Sequence, residues 1–167
     1  MNALKPGSTI GILGGGQLGR MLSIAAAQLG FDVAIFTDEP DSPAARVSAR
    51  TTIGNYLDTA ALADFARRVD VVTTEFENVP AETAHALIEA GARVAPNPHA
   101  IAVAQDRFDE KSYFASAGIA TPPFRAISSQ ADLDAAIAEI GAPAILKTRR
   151  LGYDGREIGR ASCRERV

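Results

Sequence analysis

The chain of 167 residues carries a formal net charge of −3 and is 47% hydrophobic and 22% charged, which is the make-up of an ordinary soluble globular protein of one sizeable domain, or one domain and part of another. Its arginines are scattered, outside the Arg67-Arg68 and Arg149-Arg150 pairs and the tail, so no nucleic-acid surface is expected, and no apolar run approaches the ~18 residues that span a bilayer. Cys163 is the only cysteine, which excludes an internal disulfide and any multi-cysteine metal site. The first residues run straight into a strand pattern with no signal peptide, and a cytoplasmic protein is expected.

Residues 9–13 (Thr-Ile-Gly-Ile-Leu) form a short apolar run ending in glycines, the pattern of a buried strand. A helix over 18–29 follows, with Leu18, Met21, Leu22, Ala25 and Leu29 at helical spacing and Gly30 suited to its C-terminal cap. Val33-Ala34-Ile35-Phe36 is the next strand. Strand, glycine turn, helix and strand within about thirty residues make a βαβ unit, which demands a parallel sheet. The pattern returns with a helix over 58–67 and a strand over 69–73. Pro80 can then occupy the first turn of a helix to Glu89, ahead of a short strand at 93–95. These elements predict a small doubly wound, Rossmann-like domain over residues 1–97.

Pro96-Asn97-Pro98 marks the expected domain boundary, because two prolines so close interrupt helix and strand alike. Beyond it a helix is predicted over 106–117, ended by Gly118. Thr121-Pro122-Pro123 leads into a strand at 124–127. Ser129 caps a helix over 131–140, and 143–147 is a second apolar strand. This half has too few elements to close a core of its own.

Four places carry residues suited to chemistry. Gly14-x-Gly16-x-x-Gly19 lies between strand and helix, where a phosphate or a ribose can approach a helix N-terminus. Asp38, just past the second strand, stands near where a dinucleotide fold keeps its ribose-binding acid, so a nicotinamide site is a rival. Glu75 follows the strand 69–73 and is expected at the same mouth as Gln17, where its carboxylate can accept from sugar hydroxyls. Lys147 ends an apolar strand and calls for an anionic partner; the following loop, with Gly152 and Gly155, can fold over phosphates. Arg107 and Lys111, four apart on one helix face, can add charge to that anion or merely solvate the helix. His85 and His99 fit no catalytic or metal pattern.

Ile12 to Met21 (Ile-Leu-Gly-Gly-Gly-Gln-Leu-Gly-Arg-Met), Thr74-Glu75-Phe76-Glu77-Asn78-Val79-Pro80, Gln105-Asp106-Arg107 with Lys111, and Lys147 with Gly152-Tyr153-Asp154-Gly155-Arg156 together resemble the N5-carboxyaminoimidazole ribonucleotide synthetases. These are the ATPase subunits of phosphoribosylaminoimidazole carboxylase, in the ATP-grasp superfamily. The resemblance runs over residues 5–156 and implies an ATP-dependent carbon–nitrogen ligase of purine biosynthesis. Such an enzyme carboxylates aminoimidazole ribonucleotide with bicarbonate and ATP. Carried over by position, Gln17, Leu18 and Glu75 contact the ribonucleotide. Arg107, Lys147, Gly152, Tyr153, Asp154 and Gly155 bind ATP, with 152–155 as a glycine lid. The ribonucleotide phosphate goes to basic residues of a later segment, which leaves the glycine turn to the ribose end. The resemblance further implies Mg²⁺ with ligands in that later segment, a homodimer through the N-terminal domain, and no nucleic-acid or membrane partner.

After Arg156 the family pattern breaks, and residues 157–167 read as a non-native tail without strand alternation. Residues 98–156 are then the start of an ATP-grasp domain, and a catalytically inactive, truncated chain is expected. Two related readings fit less well: a formate-dependent glycinamide ribonucleotide transformylase would carry Glu-Leu in place of Gln17-Leu18, and a biotin carboxylase has a different glycine loop. From other classes, an NAD(P)-dependent oxidoreductase and a non-catalytic Rossmann-like nucleotide-binding module remain as alternatives.

Overall fold

The structure is a computed structural model that describes residues 3–151 and the backbone of 158–161. The chain divides into two compact units, Met1–Ala102 and Val103–Val167. In the first, β1 (Thr9–Leu13), α1 (Gln17–Gln28), β2 (Asp32–Thr37), β3 (Arg50–Ile53), α2 (Thr59–Ala66), β4 (Val71–Thr74) and α3 (Ala81–Glu89) follow in order. The strands make one parallel sheet in the order β3-β2-β1-β4, with β1 paired to β2 from Thr9↔Asp32 and to β4 from Ile10↔Val71. The predicted strand at 93–95 appears as a single parallel bridge, Val72↔Val94, on the outer edge of β4.

Alternation along the strands sends successive side chains to opposite faces. Leu13, Ala34, Phe36 and Val72 pack with Leu62, Phe65, Val79 and Leu87 on the α2 and α3 side. Ile12, Val33 and Ile35 pack with Ala26 and Ala44 on the α1 side. Helices on both faces make the sheet doubly wound, as predicted. Phe36 and Phe65 meet edge to face with centroids 5.4 Å apart, in the favoured aromatic geometry.

Three points in this unit depart from the sequence pattern. The apolar stripe whose spacing marked α1 as a helix lies outside the core: Leu18, Met21 and Leu22 are 60%, 57% and 43% exposed. The helix instead buries Gly19, Ser23 and Ala26, small residues that let its backbone lie close to the sheet. Ser23 can be buried because its hydroxyl donates to Gly19 O at 2.7 Å. The edge strand β3 was missed, since Arg-Thr-Thr-Ile with largely exposed positions carries no apolar run. Finally, the proline stretch opens a helix instead of breaking one. α4 (Pro98–Gln105) starts at Pro98, whose missing N–H costs nothing in a first turn, and Asn97 Oδ1 accepts from Ala100 N–H at 2.8 Å.

The second unit contains α5 (Arg107–Ser116), α6 (Gln130–Ile140), β5 (Ala144–Lys147) and β6 (Ile158–Ala161). Asp106 caps α5, accepting from the Phe108 and Asp109 amides. Ser129 caps α6 through the Asp132 amide, as predicted, while Asp132 accepts in return from Ser128 N–H at 2.9 Å. The strand predicted at 124–127 is absent. Phe124 packs on Phe108 and Arg125 pairs with Glu139, so side chains, with no backbone ladder, fix this segment. β5 pairs antiparallel with β6, Ala144 opposite Ala161 and Lys147 opposite Ile158. A strand therefore forms inside 157–167, where none was expected, and β5 has a neighbour. It is not a buried strand, however: Ile145 and Leu146 are 65% and 41% exposed.

Candidate functional site

β1 has β2 on one side and β4 on the other, and this reversal opens a crevice at the carboxyl ends of the strands. The glycine loop after β1 and Glu75 after β4 meet there. Gly14 has φ +109°, a region open to glycine and strained for other residues, and its N–H donates to Phe36 O. Gly16 is the N-cap of α1, has no side chain to cap with, and no acidic residue follows in the first turn. Glu75 supplies the missing acceptor. Its Oε1 takes the Gly16 N–H at 2.7 Å, from 59 residues away. A Cβ on Gly14 would stand 2.6 Å from Glu75 Oε1, and one on Gly16 3.1 Å from it, so these glycines make room for the carboxylate.

Gln17 is the first residue of α1 and is exposed, as is Leu18 beside it. The Glu75–Gly16 bond brings the loop after β4 to the residue that precedes Gln17. Sequence reasoning did not find Thr37 and Ser42, buried hydroxyl residues that pack against Gly15; a Cβ there would meet their oxygens at 2.7 and 2.3 Å. Tyr56 was missed as well. Burial pushes its phenol up to about 12, helped by the negative charges of Asp38, Glu75 and Glu39 and opposed by the Thr37 hydroxyl. The mouth is therefore acidic, and Asp38 contributes to it through charge.

In the second unit Asp106 joins Arg149 to the start of α5, beside Arg107. Besides capping α5, its carboxylate receives Arg149 Nε at 3.1 Å on each oxygen and Arg149 Nη2 at 2.8 Å. Burial alone would raise Asp106, but Arg149 and the Phe108 and Asp109 amides hold it below the ordinary carboxylate value. Arg149 O accepts from Arg107 N–H at 2.9 Å, which ties the first residue of α5 to the segment just after Lys147. Lys147 is exposed and, among the described residues, makes no ion pair. Lys111 sits 5.4 Å over the Phe124 ring, so it packs the helix against that segment. Gly152, Tyr153, Asp154 and Gly155 lie outside the described residues. Asp106 was read as the first residue of the helix and is its cap; its pairing with Arg149, 43 residues away, had no local signal.

No group of three or more His, Cys, Asp or Glu that could hold a metal ion occurs among the described residues. The described residues therefore make no Mg²⁺ site.

A parallel sheet ordered β3-β2-β1-β4, with a glycine loop and an acid at its switch point, defines a Rossmann-like domain. Its sequence carries the finer assignment: residues 7–105 match the ribonucleotide synthetase preATP-grasp domain and residues 112–166 the ATP-grasp domain. The chain belongs to the ribonucleotide synthetase preATP-grasp family. It is 49% identical over 154 residues to the N5-carboxyaminoimidazole ribonucleotide synthase of Brucella melitensis, covering 92% of this chain and 42% of that protein. The ADP-bound N5-carboxyaminoimidazole synthetase of Staphylococcus aureus superposes with a TM-score of 0.91 at 37% identity, over 98% of this chain and 43% of that one. The synthase of Aspergillus clavatus, complexed with ADP and 5-aminoimidazole ribonucleotide, gives a TM-score of 0.82 at 28% identity, over 95% and 41%. The chain thus spans well under half the length of these relatives.

These similarities do not favour the oxidoreductase and binding-module alternatives. Geometry argues the same way against the first. A dinucleotide's pyrophosphate sits at the N-terminus of the helix after the glycine loop, and here the Glu75 carboxylate already holds the Gly16 amide.

Proposed function

We propose that this protein is an ATP-dependent carbon–nitrogen ligase that carboxylates 5-aminoimidazole ribonucleotide to its N5-carboxy form in purine biosynthesis. In that reaction bicarbonate oxygen attacks the γ-phosphorus of ATP and ADP leaves. The exocyclic amine then bonds to the carboxyl carbon as inorganic phosphate departs and the amine loses a proton. A carboxyphosphate hydrolyses readily, so a site that excludes water favours the second step.

The observation that carries the reading is the Glu75–Gly16 contact at the sheet's switch point, on a chain 49% identical to a synthase of this kind. It leaves a carboxylate, and no anion site, beside Gln17, which suits the hydroxyls of a ribose. Gln17, Leu18 and Glu75 are assigned to the ribonucleotide, and Arg107, Lys147 and 152–155 to ATP, where cations offset charge on the transferring phosphoryl group. Residues 1–97 serve as the pre-ATP-grasp domain and 98–156 as the beginning of the ATP-grasp domain. Mg²⁺ bound by carboxylates of a further segment, a homodimer and a cytoplasmic setting complete the proposal.

A thermal-shift titration of the 167-residue chain with aminoimidazole ribonucleotide, with NAD for comparison, tests it. A ligand present at a hundred times its dissociation constant adds about 2.7 kcal/mol to a folded binding domain. Stabilisation by the ribonucleotide alone is expected. Stabilisation by NAD alone would overturn the substrate assignment.

A further inference from the structure

We infer that Asp106 is a positioning residue: by holding Arg149 it fixes the segment that follows β5 against the start of α5, so that Lys147 and Arg107 present their charges to one polyphosphate. The inference deepens the ATP reading and rests on it for the role of those two cations.

β5 ends at Lys147. Two residues on, at most about 7 Å along the chain, Arg149 is held from several sides. Its Nε lies 3.1 Å from each Asp106 oxygen and its Nη2 2.8 Å from Oδ2. Nη2 also stands 3.6 Å from Asp109 Oδ1, and the guanidinium lies 5.2 Å over the Phe108 ring. The Arg149 carbonyl accepts from the Arg107 N–H at 2.9 Å, which fastens backbone to backbone. Arg150 Nη2 adds a bond to Gln105 Oε1 at 3.3 Å, on the other side of Asp106 in the chain.

Capping α5 does not call for a charge, since Ser, Thr or Asn caps as well, and burying a carboxylate costs desolvation. Asp106 is nevertheless 4% exposed, and Arg149 is the partner its charge serves. The cations of this region divide accordingly. Arg149 is engaged by Asp106, Arg150 by Gln105 and Lys111 by the Phe124 ring. Arg107 and Lys147 are exposed and, among the described residues, make no ion pair. The two cations left over are therefore the two that the clamp joins. They suit adjacent phosphate groups, which Arg takes as a fork and Lys as a point charge. Fixing them beforehand spares the ligand the ordering of their segments.

Isothermal titration of the 167-residue chain with inorganic tripolyphosphate tests the inference through the sign of two neighbouring substitutions. Asp106→Asn and Asp109→Asn each remove one negative charge at the start of α5. Charge alone predicts that both tighten the binding of an anion. Positioning predicts that Asp109→Asn tightens it and that Asp106→Asn weakens it by at least about fivefold, as ordering returns to the binding step. Ser129→Ala removes the cap of α6 in the same unit and is expected to leave the affinity unchanged, which separates positioning from a general loss of stability. An Asp106→Asn chain that binds as tightly as the unaltered one would overturn the proposal. So would an equal loss in Ser129→Ala, or no binding by the unaltered chain. Should Asp106→Asn fail to fold, by far-ultraviolet circular dichroism, the unaltered chain decides. Its Arg149 Nε–H is expected to be protected from exchange before tripolyphosphate is added, and protection that arises only afterwards would sink the idea. ATP gives the separate readout. Tripolyphosphate bound in the expected pattern but not displaced by ATP removes the nucleotide reading and leaves the positioning. ATP binding that is lost in Lys147→Met yet indifferent to Asp106→Asn does the reverse.

Discussion

Two acidic residues, each at the start of a helix in space, show how differently a cap can be supplied. Asp106 precedes α5 directly and accepts from the second and third amides along, the ordinary local arrangement. Glu75 comes from the far side of β1 and caps a helix 59 residues earlier in the chain. Asp106 also carries the Arg149 pair, which makes its ionisation a stability term. Its folded value lies below the ~3.9 of an unfolded aspartate, so the stabilisation is present above that value and is lost as pH falls through the folded one. Asp106→Asn keeps a good cap and removes only the charge. We expect it to cost about 1 kcal/mol at pH 6, because Arg149 is half-exposed and partly screened. Between pH 6 and pH 3 the native chain should lose more stability than the variant, read from urea midpoints. Equal losses would show that the pair contributes nothing.

At the scale of the element, α1 shows what periodicity can and cannot say. Its repeat of about 3.6 residues identified a helix, and the structure agrees. The same repeat offers two neighbouring stripes, Leu18-Met21-Leu22-Ala25 and Gly19-Ser23-Ala26, and hydrophobicity alone would choose the first for the core, whereas the second is buried. Close backbone approach to the sheet won instead. The exposed stripe suggests a test of the proposed homodimer. Met21→Lys with Leu22→Lys should change stability by no more than about 0.5 kcal/mol, as surface substitutions do. Analytical ultracentrifugation should then find monomer where the unaltered chain is dimeric; a dimer that survives both lysines is held elsewhere. Other elements divide similarly. The parallel strands β1, β2 and β4 were legible because each holds an apolar stretch between turn signals. β3 was not, since an edge strand of Arg-Thr-Thr-Ile draws its order from β2 alone. At 124–127 an apolar run after two prolines found side-chain partners and no neighbouring strand. Within the site, the approach of the loop after β4 to the glycine loop after β1 followed from topology, whereas the Glu75–Gly16 bond itself depends on the loop's backbone path, which sequence does not specify.

The two compact units differ most in what they bury, and that difference governs how the whole chain should respond to a protease. The first unit has two apolar clusters, one on each face of a four-stranded sheet, built from fully covered side chains such as Phe36, Phe65, Ile12 and Leu87. Among the described residues of the second, only Asp106 and Ala136 are buried. Apolar burial is the main favourable term in folding, at about 25 cal/mol per Å², so the second unit opens at lower cost. It also presents suitable residues: Ile119 is 54% exposed at the head of an irregular stretch, and Ile145 and Leu151 are 65% and 71% exposed. Leu18 and Met21 are as exposed, but they sit in the backbone-bonded helix α1, and a protease must first unravel the segment it cuts. Thermolysin at low ratio is therefore expected to cut within 119–151 first and to leave a resistant fragment that begins at the N-terminus and extends past Ala102. Intact-mass spectrometry over the digestion would read this directly. Cuts appearing in both units at one rate would mean that the second is as well held as the first, and that stability in this chain does not follow the buried apolar surface.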